Sequence, residues 1–132
     1  MTAVDQLDPP DDPVGLLRWC QEAWNDLDLE RILDAYATPC FVAKGGRVLH
    51  HRDQAGKARY FGDLLAGNRR QGPHRWELGD VDLRGLGRDG ALVTVCWTCR
   101  RPDGSVIWEF PDSYLLAGER GRWWIVGDVV HE

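Results

Sequence analysis

No apolar run in this chain approaches the roughly 20 residues a helix needs to cross a bilayer. Its opening stretch, Met1-Thr-Ala-Val-Asp-Gln-Leu-Asp-Pro-Pro-Asp-Asp-Pro13, is acidic and has no apolar segment of the kind a secretory signal carries. Neither a membrane role nor export is expected, and the cytoplasm is the default compartment. Basic residues are in deficit, with 16 Lys and Arg against 21 Asp and Glu and a formal charge of −5. A nucleic-acid surface would show as a basic patch, so Asn68-Arg69-Arg70 and Arg100-Arg101 read as solvated element ends. No His/Cys/Asp/Glu spacing suits a metal, and no Gly-rich loop joins a strand to a helix for a phosphate. Ser113 lacks G-x-S-x-G surroundings and reads as a plain strand residue. The expectation is no metal and no cofactor.

Disulfides are not expected either, because the four cysteines should be free thiols in a reducing compartment. Cys96 and Cys99 do form a C-x-x-C, but within Val93-Thr-Val-Cys-Trp-Thr-Cys-Arg100, which reads as a strand. Residues three apart on a strand face opposite sides, and a redox C-x-x-C wants a helix N-terminus to stabilise its thiolate.

What remains is 132 residues, enough for one domain with a real core, at 43% hydrophobic and 28% charged. Seven Trp is high, and bulky aromatics suit a pocket or an interface. Residues 1–12 read as a disordered acidic arm, and 13–132 as the folded domain. Asp12 can cap a first helix with Pro13 at its first position, and Leu16, Leu17, Cys20, Trp24 and Leu27 recur at helical spacing. Arg18, Gln21, Glu22 and Asn25 fall on the opposite, polar side. Asp28 can cap a second helix, Leu29 to Ala37, stopped by Pro39. Gly45-Gly46 between Phe41–Lys44 and Arg47–His50 is a tight hairpin signal, and Asp53 begins a third helix that closes near Gly67-Asn68. From His74 on, four strands alternate with Gly-rich turns: His74–Arg84, Ala91–Arg100, Val106–Ala117 and Arg122–His131. Helices followed by an antiparallel meander predict an α+β plan, a curved antiparallel sheet wrapped around N-terminal helices.

Chemistry concentrates in the third of these strands. Trp108, Phe110, Asp112, Tyr114 and Leu116 share one face, because successive strand side chains alternate. A carboxylate among four large apolar groups must be hydrogen-bonded, paired or protonated. If Asp103-Gly104 forms the turn, Cys99 faces Trp108, Trp97 faces Phe110, Val95 faces Asp112 and Val93 faces Tyr114, extending the same apolar wall. A four-residue loop at Gly118–Gly121 would add Trp123, Ile125, Gly127, Val129 and His131 to that face, with Gly127 across from Asp112. The opposite face carries Thr94, Thr98, Ser113 and Trp124 and, if no helix covers it, is available to a second copy of the chain.

Three stretches resemble the SnoaL-like branch of the nuclear transport factor 2-like superfamily, the cone-shaped, cystatin-like fold that ketosteroid isomerases also use. They are Ala23-Trp-Asn-Asp-Leu-Asp-Leu-Glu-Arg-Ile-Leu-Asp-Ala-Tyr-Ala37, His51-Arg-Asp-Gln-Ala-Gly-Lys-Ala-Arg-Tyr-Phe61, and Asp112-Ser-Tyr-Leu-Leu-Ala-Gly-Glu-Arg-Gly-Arg-Trp-Trp-Ile-Val126. The resemblance implies a single cone domain and a homodimer through the sheet. It also implies that Asp112 is an acid facing the cone. The isomerases carry a second carboxylate on the first short strand, where this chain has Phe41-Val-Ala-Lys44, so Lys44 stands at the expected base position. Asp112, Tyr114 and His131 are then the candidate catalytic groups, and Tyr36, Tyr60, Trp97, Trp108 and Phe110 the candidate ligand contacts. His50, His51 and His74 are further polar candidates. The implied activity is a cofactor-free isomerisation, cyclisation or dehydration of a small apolar organic molecule with Asp112 as acid–base. The alternative is a noncatalytic ligand-binding or assembly domain of the same fold.

Overall fold

The computed structural model describes residues 12–119 and 121–131, so the acidic arm expected over 1–12 lies, apart from Asp12, outside the described residues. Three helices and six strands follow in the order α1 (Pro13–Asn25), α2 (Leu29–Ala35), β1 (Tyr36–Lys44), β2 (Arg47–His51), α3 (Gln54–Arg70), β3 (Arg75–Gly85), β4 (Gly90–Arg100), β5 (Val106–Glu119) and β6 (Arg122–Val130). The strands form one sheet in the order β2-β1-β6-β5-β4-β3. The α+β cone expected from the sequence is what forms. The sheet is mixed rather than wholly antiparallel, because the chain returns at β6 to lie parallel to β1. Among the described residues, no helix is long and apolar enough to cross a membrane.

Each helix starts where a short acid can accept a free backbone N–H. Asp12 Oδ1 takes Gly15 N at 2.7 Å, Asp28 Oδ1 takes Arg31 N at 3.2 Å, and Asp53 Oδ1 takes Gly56 N at 2.8 Å. α2 ends at Ala35 instead of Ala37, and Tyr36 is already extended. Pro39 disfavours the α region at Thr38, so the helix has to end before it. Two cations also satisfy the carbonyls left open at the end of α2. Lys57, only 2% exposed, donates to Leu33 O at 3.3 Å and Tyr36 O at 2.8 Å, and Arg122 donates to Asp34 O at 2.6 Å. α3 runs one turn beyond its expected close, to Arg70.

Gln21 and Asn25, assigned by periodicity to the solvent side of α1, instead pair with the edge strand β3. Asn25 exchanges two hydrogen bonds with the backbone of Trp76, at 2.7 and 3.0 Å, and Gln21 accepts from Leu78 N at 2.7 Å. These bonds cover the Trp76–Leu78 part of an otherwise open edge. The core lies between α1, α2 and α3 and the inner sheet face, where Ala91, Val93, Val95, Trp97 and Cys99 of β4 are all buried. Tyr36 and Phe61 are buried, and Trp24 is partly buried. All four cysteines are free thiols, with Cys99 inward and Cys96 on the other face.

Two registers decide the inner face. Between β4 and β5, Cys99 faces Trp108, Trp97 faces Phe110, Val95 faces Asp112 and Val93 faces Tyr114, as read from the sequence. The turn itself is longer than the expected pair, since Arg101 N bonds Ser105 O at 2.8 Å, and a shift between Cys99 and Arg100 absorbs the difference. Between β5 and β6 the pairing is two residues from the expected one, with Glu119 across from Arg122 and Leu116 across from Ile125, so the expected inward face of Ile125 holds near the turn but fails beyond it. Leu115 pairs with Gly127, so Val126 is a bulge and every later side chain changes face. Gly127 therefore does not stand beside Asp112; Val130 does.

Gly127 has a different reason to be glycine. A Cβ there would lie 2.1 Å from Cε1 of Phe41, whose ring covers the Gly127 backbone from β1. Gly127→Ala should lower unfolding stability by about 1–3 kcal/mol, the usual range for overpacking. Urea denaturation of Gly127→Ala, Phe41→Ala and the double variant checks this. The two losses should be strongly non-additive, and additive losses would contradict the contact.

Candidate functional site

The inner sheet face and α3 enclose a cleft of about 620 Å³. One wall is a cluster of indoles and a phenyl ring. Trp76 stacks on Trp108 at 5.7 Å between centroids and meets Trp97 and Phe110 edge-on at 6.2 and 5.9 Å. The buried polar ends of this wall are tied down. Trp76 Nε1 donates to Asn68 Oδ1 at 2.7 Å, Asn68 Nδ2 donates to Leu64 O at 2.9 Å, and Trp97 Nε1 donates to the Tyr114 hydroxyl at 2.8 Å. Opposite them stand Tyr60 and the close pair Tyr36 and Phe61, with ring centroids 4.4 Å apart.

The floor holds two carboxyls rather than one. Asp112 and Asp128 are each 4% exposed, and both side chains border the cleft. The Val126 bulge brings Asp128 there, placing it across from Tyr114 on β5 and beside Val42 on β1. The two carboxyls act on each other's ionisation, and two buried like charges this close are relieved by a proton on one of them. The Oδ1 of each has no partner among the described residues. Burial pushes the Asp112 carboxyl up to about 10, reinforced by Asp128; Tyr114 and the Lys44 ammonium pull it partly back. Burial also raises Asp128, to about 6, against the opposing effect of Asp112. Neighbours respond to the same enclosure: burial and then these two carboxyls push Cys20 and Tyr60 each up to about 12.

Of the residues singled out in the sequence, Asp112, Tyr114, Tyr36, Tyr60, Trp97, Trp108 and Phe110 all border this cleft. Lys44 does too, at the open end of β1. His131 was expected on the Asp112 face. The bulge turns it away, and its Nε2 meets Ser113 Oγ at 2.8 Å on the opposite face, leaving it at the cleft rim. His50 and His51 border a separate cleft with Arg52 and Arg59, where His51 packs against Tyr60 at 4.5 Å. His74 bonds Gly72 O at 2.7 Å in a turn and joins neither cleft. Asp128 was missed. Its signal was the sequence Trp123-Trp-Ile-Val-Gly-Asp-Val-Val130, whose lone acid follows a glycine inside a strand, the usual mark of a bulge.

A carboxyl raised above its unfolded value near 3.9 binds protons more tightly in the folded state. Below about pH 4 both states hold those protons and nothing is lost. Above it the unfolded chain ionises first, so stability falls as pH rises, through about 6 for the Asp128 step and on toward 10 for Asp112. Asp112→Asn removes one titration and the like-charge conflict. It should match wild type near pH 3 and exceed it at pH 8 by on the order of 1–3 kcal/mol. Chemical denaturation from pH 3 to 9 measures the difference, and a variant weaker than wild type at pH 8 would contradict the assignment.

The comparisons with known proteins bear on the fold. No curated protein matches the chain. An NTF2-like protein of unknown function from Shewanella oneidensis is 18% identical, covering 99% of this chain and 100% of that one, with a TM-score of 0.67. A protein of unknown function with a cystatin-like fold from Nostoc punctiforme is 13% identical over 98% and 92% of the two chains, with a TM-score of 0.72. A Shewanella frigidimarina protein described as a "putative ketosteroid isomerase" is 13% identical over 88% and 91%, with a TM-score of 0.67. At these identities the likeness is one of fold. The family model described as NTF2-like protein (DUF6841) matches residues 19–132, nearly the whole domain, and the chain belongs to that NTF2-like family.

Proposed function

We propose that this domain binds a small apolar organic molecule in the aromatic cleft and moves a proton on it through Asp112 and Asp128, as a cofactor-independent isomerase, cyclase or lyase. The observation that carries this is the pair of buried carboxyls, each with an unpartnered oxygen, at the floor of one apolar cleft. Two carboxyls held together cannot both ionise easily, so at neutral pH one is an acid and the other a base. Asp112, the more strongly raised, holds the proton and donates it to a developing enol or alkoxide oxygen. Asp128 takes a proton from the adjacent carbon. The acid that related isomerases place on the first strand is here supplied from β6, and Lys44 occupies the first-strand position.

The alternative is binding without turnover. It is favoured by the Tyr114 hydroxyl, which already accepts the Trp97 indole N–H and is less free to serve a ligand. Proton exchange separates the two readings. A panel of cyclic unsaturated ketones incubated in deuterated buffer and followed by NMR should show exchange at the activated carbon. Asp112→Asn and Asp128→Asn should each slow it by about 10²–10⁴-fold. Asp82→Asn, on the outer sheet face across from Thr94, should not. Ligand binding with no exchange across the panel would leave the noncatalytic reading standing.

The outer sheet face supports the proposed homodimer. Leu92, Leu115 and Val129 are 37, 37 and 46% exposed there, around the Thr94–Ser113 hydrogen bond of 2.7 Å. Trp124 lies on this face opposite Ala117, with the Arg122 guanidinium 4.5 Å above its ring. A two-fold pairing of identical faces would cover this patch in both copies at once. The free thiols suit the reducing cytoplasm proposed for the protein. Sedimentation should return a dimer for wild type and a monomer for Leu115→Glu, and a monomeric wild type at micromolar concentration would overturn the assembly.

A further inference from the structure

The cleft is not uniformly apolar, and its charges are sorted by depth. Asp112 and Asp128 are buried, whereas the other charged side chains that border the cleft, Lys44, Arg70 and Asp63, are exposed, and His131 stands at its rim bonded to Ser113. This runs against the balance of a chain that carries 21 acids to 16 Lys and Arg. Neither Lys44 nor Arg70 has a carboxylate within ion-pair distance among the described residues, so neither positive charge is already spent on a protein partner. Their attachment is firm at the backbone: Lys44 ends β1 at the tight Gly45-Gly46 turn, and Arg70 ends α3. Lys44 lies two residues beyond Val42, the strand neighbour of Asp128. At strand rise that is about 7 Å, roughly the width of a fused-ring fragment.

We propose that the ligand of this cleft is an aromatic or conjugated apolar molecule bearing one anionic group, a carboxylate or sulfonate, held at the mouth by Lys44 and Arg70. The proposal rests on the cleft being a ligand site and adds the ligand's charge and polarity. The apolar body lies along Trp76, Trp97, Trp108 and Phe110. The anion stays at the rim, where two cations and water solvate it, and the end without charge reaches the carboxyl floor. An anion that entered deeper would meet Asp112 and Asp128, so the same arrangement fixes which end goes in first.

Two naphthalene probes that differ by a sulfonate test this, 8-anilinonaphthalene-1-sulfonate and neutral N-phenyl-1-naphthylamine. Energy transfer from the cleft tryptophans reports seating in the cleft. Wild type should bind the sulfonate about ten-fold more tightly than the neutral probe, the scale of two partly shielded charge pairs. The preference should shrink with added salt. Lys44→Ala combined with Arg70→Ala should abolish it, and Arg88→Ala, at the remote β3–β4 turn, should preserve it. Equal affinities in wild type, or a preference that survives the double substitution, would overturn the anionic-ligand inference while leaving a cleft that binds apolar molecules. If neither probe is seated near the tryptophans, the ligand-site reading falls and takes this inference with it.

Discussion

Two carboxyl groups enclosed in one apolar cleft is the condition that the rest of this structure has to accommodate. Two like charges about 4 Å apart repel by about 4 kcal/mol even at the effective dielectric of a partly wet site. Desolvation adds to that for each of them. The conflict is relieved by a proton on one of the two, Asp112 being the more strongly raised. Among the described residues, the other groups around the floor are indoles, phenols and the Cys20 thiol, and burial keeps Cys20 and Tyr60 neutral by raising them. Lys44 offsets part of the charge from the rim without closing on it as an ion pair. A core optimised only for stability would place apolar residues at both positions, so the pair is the kind of local inconsistency that usually marks a site.

A cleft of this size survives only if its walls cannot collapse into it. The walls are held from outside the cleft. Asn25 and Gln21 clamp β3 to α1, and Trp76, the centre of the aromatic wall, sits on β3 between those clamps and Asn68 of α3. On the other side, Lys57 and Arg122 close the carbonyl end of α2 and fix where β1 begins, which places Tyr36, Val42 and Lys44 along the cleft. Lys57 is buried and its ammonium is destabilised by that burial, yet it is paired with two carbonyls and so costs less than an isolated charge. Apart from Asn68, the polar groups that brace the cone thus lie behind the lining, and the buried part of the cleft is left mainly to the aromatics and the two acids.

Much of this was legible in the sequence because it depended on local rules. The caps at Asp12, Asp28 and Asp53, the Gly45-Gly46 hairpin and the alternation of β4 and β5 each follow from neighbouring residues, and each formed where read. The β4–β5 register was right although its turn is longer than read, because the strand irregularity compensates. What escaped was non-local. The end of α2 is set in part by a lysine 21 residues after Tyr36, and the polar side of α1 is claimed by a strand 51 residues after Asn25. Of the candidate site, the aromatic wall and Asp112 were readable from alternation, and Asp128 was not. Strict alternation over Trp123–Val130 put the wrong residues inward, and one skipped position reversed half the strand.

That skipped position links the two faces of the sheet. The same bulge that turns Asp128 toward Asp112 puts Gly127 on the outside, where Phe41 of β1 can lie flat on its backbone. A side chain at Gly127 would lift Phe41 and loosen the β1–β6 contact. That contact is the parallel pairing which sets Val42 beside Asp128 and so fixes where Lys44 falls along the cleft. The inward acid and the outward glycine are therefore one feature seen from two sides. A strand without the bulge could keep its hydrogen bonds and its hydrophobic content, but it would bury Gly127 and Val129 in the cleft and send Asp128 to the outer face. The cone fold would tolerate that exchange; the pairing of two carboxyls in one cleft would not.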